Sequence, residues 1–411
     1  MKQQYDSYKP SGIDWIGDIP SHWNIQRMRF LCDIITGDKD TINREEDGLY
    51  PFYVRSPQIE RINSYSFDGE AVLMAGDGVG AGKVLHYVNG KFDFHQRVYN
   101  FHNFRGIKGR LLYLYLKSLF KYKIEEGGAK NTVDSVRQPW LKDFPICIPP
   151  IDEQEAIAAW LDEKCGEIDA AMAKVAREIE LLDELKQSVI SRAVTRGLNP
   201  DAPLRPSGID WIGEIPSHWK KYRLKFIGDS RNGLTYSTSE IVDSGKLVIR
   251  SSNIQNSKLC FDDCVFVKTF PAILSVKSGD TIICSRNGSI NLIGKAAYID
   301  KNMDVTFGAF MMRFRPYQHP KFSHYLISTA ISQYKGLFST TTINQLTSDA
   351  LGKMDAVIPP LAEQAAISDY LDKKCAEIDG LKAKLVKKRE ILTELRQSII
   401  SEVVTGKQKV I

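Results

Sequence analysis

The chain is written twice. Residues 10–23 read PSGIDWIGDIPSHW and residues 206–219 read PSGIDWIGEIPSHW, a run of fourteen positions broken only by Asp18 against Glu214. A second matched pair follows, IPPIDEQEAIAAWLDEKCGEIDA from Ile148 and IPPLAEQAAISDYLDKKCAEIDG from Ile358. The offset grows from 196 residues at the first motif to 210 at the second, so the second copy carries about fourteen extra residues between its motifs. A tandem duplication restricts the fold more than any composition does, because whatever one copy builds, the other builds again.

Each copy has the same order: a short opening motif, a divergent middle, and a long helical tail. The middles hold strand-like runs such as Ala71–Met74 and Thr281–Cys284, punctuated by Gly, Asn, Asp and Pro. They also hold helical stretches, Leu111–Lys123 and Phe322–Lys335. Each middle therefore reads as a mixed α/β domain, and the whole chain as α+β.

The tails begin at Pro149-Pro150 and Pro359-Pro360, which fit the start of a helix and not its interior. Apolar residues then recur at spacings of three and four. They are Ile157, Leu161, Cys165, Ile168, Met172, Val175, Ile179, Leu182, Leu185 and Val189 in one tail. In the other they are Ile367, Leu371, Cys375, Ile378, Leu381, Leu385, Leu392, Leu395 and Ile399. Gly197 and Gly406 close the two stripes. A helix of roughly 45 residues spans about 65 Å at 1.5 Å per residue. One such helix has nothing to bury its stripe against, whereas two in one chain bury each other as a coiled coil. The expectation is an antiparallel, pseudo-twofold pair with one globular domain towards each end, the helices acting as a ruler. The expected boundaries are 1–148 and 200–358 for the globular domains, 149–199 for the central helix and 359–411 for the C-terminal helix.

Composition is that of a soluble globular protein, 43% hydrophobic and 26% charged. No apolar run approaches a membrane span, and Met-Lys-Gln-Gln-Tyr-Asp is no signal-peptide start, so the cytoplasm is the expected location. Seven cysteines without a Cys-x-x-Cys pair read as reduced thiols, with no metal site. Net charge is only +5, but it is uneven: the central helical stretch 151–199 is acidic at −5 and the block 200–358 stands at +6.

Enzyme signatures are missing. The run GDGVGAGKV, Gly76–Val84, has Asp77 where a phosphate loop needs Gly and Val84 where it needs Ser or Thr. It reads as a turn between strands. Ile precedes both Pro-Pro pairs, where an adenine methyltransferase would place Asn or Asp. Asp162-Glu163-Lys164 reads as the solvent face of a helix, since the second copy has Asp372-Lys373-Lys374. His22 and His218 sit beside Trp23 and Trp219 and read as packing residues.

The duplicated Gly-x-Ile-Pro-x-His-Trp opening (Gly17–Trp23, Gly213–Trp219) and the Pro-Pro-x-x-Glu-Gln helix starts at Pro149 and Pro359 resemble the DNA-specificity subunit of Type I restriction-modification systems. The Gly69 and Gly279 strand starts, with Gly82-Lys83 and Gly294-Lys295, are similar to its target-recognition domains. The resemblance implies a non-catalytic chain whose two domains each read half of a split double-stranded DNA site. It implies that the long helices dock two methyltransferase subunits, which flip and methylate adenine, and that restriction and translocase subunits join them. S-adenosylmethionine, ATP and Mg2+ would belong to those partners. Two other readings stay open: a scaffold that reads no sequence, and an autonomous nuclease.

The duplication also sorts residues. Positions identical in both copies suit scaffold or docking, while divergent polar positions in matching loops suit base readout. Arg55 and Arg250 match, and suit phosphate or structural roles. Gln58 and Asn253 diverge and suit an adenine edge. Gly76-Asp77 stands against Arg286-Asn287, with Arg286 able to grip guanine through two donors. Gln96 and Arg97 are further candidates. So are the loops before each helix, with Lys130, Asn131 and Gln138 in one copy and Thr341, Asn344 and Gln345 in the other.

Overall fold

The computed structural model describes residues 3–126, 135–335 and 344–410. Its contacts gather into two compact units, residues 1–177 with 386–411, and residues 178–385.

In the first unit the opening motif is a hairpin of β1 (Tyr8–Pro10) and β2 (Asp18–Pro20). Next comes β3 (Asn24–Arg27), then β4 (Asp33–Thr36), β5 (Tyr50–Tyr53), β6 (Ile59–Ile62), β7 (Phe67–Ala75), β8 (Leu85–Phe94) and β9 (Val98–His102). From β4 onwards these form one six-stranded sheet in the order β4-β9-β7-β8-β5-β6, antiparallel except where β5 meets β8. The run Ala71–Ala75 is apolar throughout because both faces of β7 are covered. Val72 and Met74 face the main core with Phe101 and helix α1 (Gly109–Glu126). Ala71 and Leu73 face a second cluster with Tyr53, Val88, Phe92 and Phe94. The phosphate-loop-like run is the connection from β7 to β8. Within it the Gly82 amide donates to the Ala75 carbonyl at 2.8 Å. Gly82 has φ +65°, and a Cβ there would stand 2.6 Å from Ile124 Cδ1, so the turn needs glycine. A short helix, α2 (Gln138–Lys142), leads to β10 (Pro145–Ile148), which pairs with β3.

The second unit repeats the plan with its sheet divided. Strands 228–232, 311–316, 281–284 and 296–298 form one four-stranded sheet, and 241–242, 266–267, 246–249 and 305–307 form another.

Two long helices run through the chain, α3 (Ile151–Arg196, 46 residues) and α6 (Leu361–Val404, 44 residues). Between them lie α4 (Pro320–Tyr334) and α5 (Ser348–Lys353). The long helices are antiparallel within each unit. In the first, Arg396 pairs with Asp169 at 2.9 Å and Thr393 reaches Met172. In the second, Lys382 pairs with Asp183 and Lys186 with Asp379, both at 2.7 Å. The apolar seam is narrower than its periodicity suggests. Ile157, Leu161 and Cys165 of α3 and Ile367, Leu371 and Cys375 of α6 are buried in the globular cores of the units, and Ile168, Val175 and Ile378 are buried further along the helices. Leu185, Leu381 and Leu395, expected in the seam, are instead exposed by 44–51%. Two helices alone cover only the facing positions, and residues one step off that line stay in water. No helix among the described residues is long and apolar enough to cross a membrane.

Candidate nucleic-acid interface

The residues identical in both copies build a joint. In the first unit Trp23 is fully buried and donates its indole N–H to Glu153 at 3.1 Å. His22 meets the same carboxylate at 3.0 Å, and the Tyr5 hydroxyl donates to its other oxygen. Glu153 lies in the first turn of α3, where a negative charge is favoured by the helix dipole. The neighbouring Gln154 donates to the Pro149 and Gly106 carbonyls at 2.9 Å and accepts from the Lys108 amide. The second unit repeats the Trp, His, Glu and Gln contacts. Trp219 and His218 meet Glu363 at 3.0 and 2.6 Å. Gln364 donates to the Pro359 carbonyl and accepts from the His319 amide. The two sequence motifs are thus one structural element. His22 does pack, its ring 5.5 Å from that of Tyr5, but both histidines, with side chains 48% and 46% exposed, also bond the helix carboxylate.

The ends of the two stripes close the same joints. Gly406 (φ +73°) abuts Pro20 and Trp23, and a Cβ there would stand 2.2 Å from Pro20 Cδ. Gly197, also at φ +73°, lies under Trp219. Each unit therefore clasps the start of one long helix and the end of the other.

The divergent residues gather elsewhere. In the first unit Asp77 accepts from Arg55 at 3.0 Å and lies 3.7 Å from Arg97. The Arg97 amide donates to His95 Nδ1, and Gln96 donates to Asp40 at 2.7 Å. Burial, with the Arg55 charge next, lowers the affinity of His95 for a proton. The hydrogen bond from Gln96, with the Thr41 amide, holds Asp40 below the usual carboxylate range. Arg55 and Arg97 thus flank one carboxylate, Asp77, with much of each arginine uncovered, and Gln96 is tied to a second, Asp40. Gln58 is exposed nearby, its carbonyl accepting from Ser56. Gln138 lies at the start of α2, half-buried, with a 3.4 Å contact to the Ile34 carbonyl.

The second unit differs in kind. Arg250 pairs with Asp263 at 2.6 Å. Asn253 is removed from the base-reading candidates. It is fully buried, accepting from the Arg250 amide and donating to the Cys260 and Asp263 carbonyls, so its amide is spent on closing a turn. Arg286 donates to Gln345 at 2.8 Å and stacks over Phe310, and the backbones of Arg286-Asn287 and Asn344-Gln345 pair as a short ladder. Lys130, Asn131 and Thr341 lie outside the described residues.

Asp40 and the exposed Phe310 were not singled out by sequence contrast, and Asp77 entered it only as the counterpart of Arg286-Asn287. Carboxylates look like poor DNA ligands in a string of letters, and only proximity shows that they hold arginines in place. No group of His, Cys, Asp and Glu able to hold a metal is found among the described residues.

Two segments, residues 20–180 and 216–388, match the model of the Type I restriction modification DNA specificity domain. The chain is 30% identical over 228 residues to the EcoDI specificity subunit of Escherichia coli, a match covering 52% of this chain and 50% of the relative. The chain thus spans about half the length of that relative. It is 23% identical to the MjaVIII specificity subunit of Methanocaldococcus jannaschii over 95% of this chain and 94% of that one. Among solved structures, a chain from a study of complex assembly and conformational transition of the type I R-M system superposes with a TM-score of 0.70 at 16% identity. That superposition covers 94% of this chain and 98% of the other.

Proposed function

The chain belongs to the family of Type I restriction-modification DNA specificity domains, and from that premise we propose that it is the sequence-reading subunit of such a complex. Each unit reads one half of a split double-stranded DNA site. The long helices set the gap between the halves and dock two adenine methyltransferase subunits, with restriction and translocase subunits joining the assembly. The methyl donor S-adenosylmethionine, ATP and Mg2+ are bound by those partners, and this chain contributes recognition without chemistry.

One observation carries the reading. The joint of Trp, His, Glu and Gln is the same in both units, while the polar network around Asp77 and the one around Arg286 share a position and differ in content. A scaffold has no use for that contrast, whereas two readers of two different half-sites require it.

The test is to co-express the chain with its methyltransferase partner and map N6-methyladenine in the host DNA. A split motif with a fixed gap, methylated on opposite strands, is the expected result. A stable complex that leaves no new methylation would favour the scaffold, and cleavage by the purified chain with a metal alone would favour the nuclease.

A further inference from the structure

The two most exposed large hydrophobic side chains among the described residues are Val79, 92% exposed, and Ile42, 87% exposed. Isolated surface apolar residues are ordinary. These two are set apart by their position, because both flank the network that runs from Asp40 through Gln96 and Arg97 to Asp77 and Arg55. Ile42 is the middle residue of a one-turn 3-10 helix, Thr41–Asn43, which Asp40 and Asn43 close by reciprocal caps. Val79 stands between Gly78, at φ +72°, and Gly80, where a Cβ would lie 2.5 Å from the Arg55 carbonyl. Neither side chain projects from slack chain. Defined backbone holds each in water, Ile42 close in sequence to Asp40 and Val79 to Asp77.

The second unit keeps one of these two devices. Its turn Thr238–Glu240 is closed by Ser237 and Glu240, whereas the loop from Arg286 to Gly294 is longer than its counterpart from Gly76 to Gly82 and runs into a 3-10 helix at Ile290–Leu292. At the tip of the shared turn, where the first unit has Ile42, stands the exposed Ser239. There the backbone is reused while the apolar Ile42 is exchanged for a hydroxyl. In the major groove the apolar feature of a base edge is the 5-methyl group of thymine, and the other edges are donors and acceptors.

Resting on the reading of this chain as a split-site DNA reader, we propose that Val79 and Ile42 contact thymine 5-methyl groups in the half-site taken by the first unit. Ser239 meets a polar base edge at the place in the second that matches Ile42. The required thymine is guaranteed by the proposed chemistry, since a half-site offering an adenine for methylation carries a thymine opposite it.

The experiment uses the full chain in complex with its methyltransferase and duplexes bearing the mapped site. Thymines are replaced one at a time by deoxyuridine, which removes only the methyl. At least one replacement in the first half-site is expected to weaken binding by about three- to fivefold, the worth of one buried methyl. Val79→Ser or Ile42→Ser abolishes that difference and leaves the second half-site's response unchanged. Both positions are exposed, so the variants fold, and unchanged thermal unfolding confirms it. If the unmodified complex binds its site yet ignores every first-half-site replacement, or if both serine variants keep the full loss, the methyl contacts are overturned. If the complex shows no site-specific binding even to unmodified DNA, the recognition reading falls, and the proposal with it.

Discussion

The indole N–H of Trp23 donates to the carboxylate of Glu153 across 130 residues of chain, and Trp219 does the same to Glu363 across 144. These bonds tie each opening motif to the first turn of a long helix. The two copies differ in depth, however. The Glu153 side chain is 8% exposed and also accepts from Tyr5, while Glu363 is 41% exposed. Glu153→Ala strands a buried indole N–H and is expected to cost about 1–3 kcal/mol. Glu363→Ala costs less, because water reaches the vacated place. Urea unfolding of both variants measures the difference, and equal losses would show that the shared motif, not its local burial, sets the energy.

A buried histidine gives the second unit an acid limit. His324 packs between Tyr298 and Tyr325, faces Thr281 at 3.3 Å, and has Lys321 and Asp372 as its charged neighbours. Burial, with Lys321 adding to it and Asp372 opposing, pushes its pKa down to about 4. The folded state therefore holds His324 neutral, whereas the unfolded chain protonates near 6.5. Its contribution is whole above that value and lost as pH falls towards 4. The limit is about 3 kcal/mol, of which about 2 kcal/mol is gone by pH 5. His324→Phe keeps the ring packing and should flatten the loss between pH 7 and pH 5. An unchanged slope in that variant would place the acid sensitivity elsewhere.

Asp77 holds Arg55 at 3.0 Å and stands 3.7 Å from Arg97. Asp77→Asn keeps the shape and removes the charge that restrains both. On the proposed reading, affinity for unrelated DNA rises, with a steeper dependence on salt, because phosphates gain two less encumbered arginines. Discrimination in the first half-site falls by about tenfold, as expected for one misplaced base contact. The second half-site keeps its selectivity. Competition binding at several salt concentrations, with either half-site scrambled, reads all three effects. Loss of selectivity at both halves would point to general unfolding.

The architecture was open to sequence reading because duplication and helical period are properties of long stretches. Two repeats, two helix starts and two closing glycines fix where the long helices lie. The joint was half legible: the matched His-Trp and Glu-Gln pairs were visible, but their partnership spans over a hundred residues and no local pattern joins them. Asn253 shows the opposite failure, since its contrast with Gln58 suggested readout whereas the fold buries it to close a turn. Leu185, Leu381 and Leu395 kept the period of a seam and ended in water, because periodicity gives a face and not the width that a partner covers.

The antiparallel register of the long helices makes the ruler testable. Asp169 with Arg396 and Asp183 with Lys382 are ion pairs on either side of residues 170–182 of α3 and 383–395 of α6. Removing four residues from α3 alone breaks the facing register. Removing four from each of those facing stretches keeps both ion pairs and shortens each helix by about 6 Å. At 3.4 Å per base-pair step, the gap in the methylated motif is expected to close by about two base pairs. The two half-site sequences should stay as they were, since no residue of either polar network is touched. Methylation mapping of the double deletion against the unmodified chain reads gap and half-sites together. Altered half-sites with an unchanged gap would mean that the helices carry no spacing information.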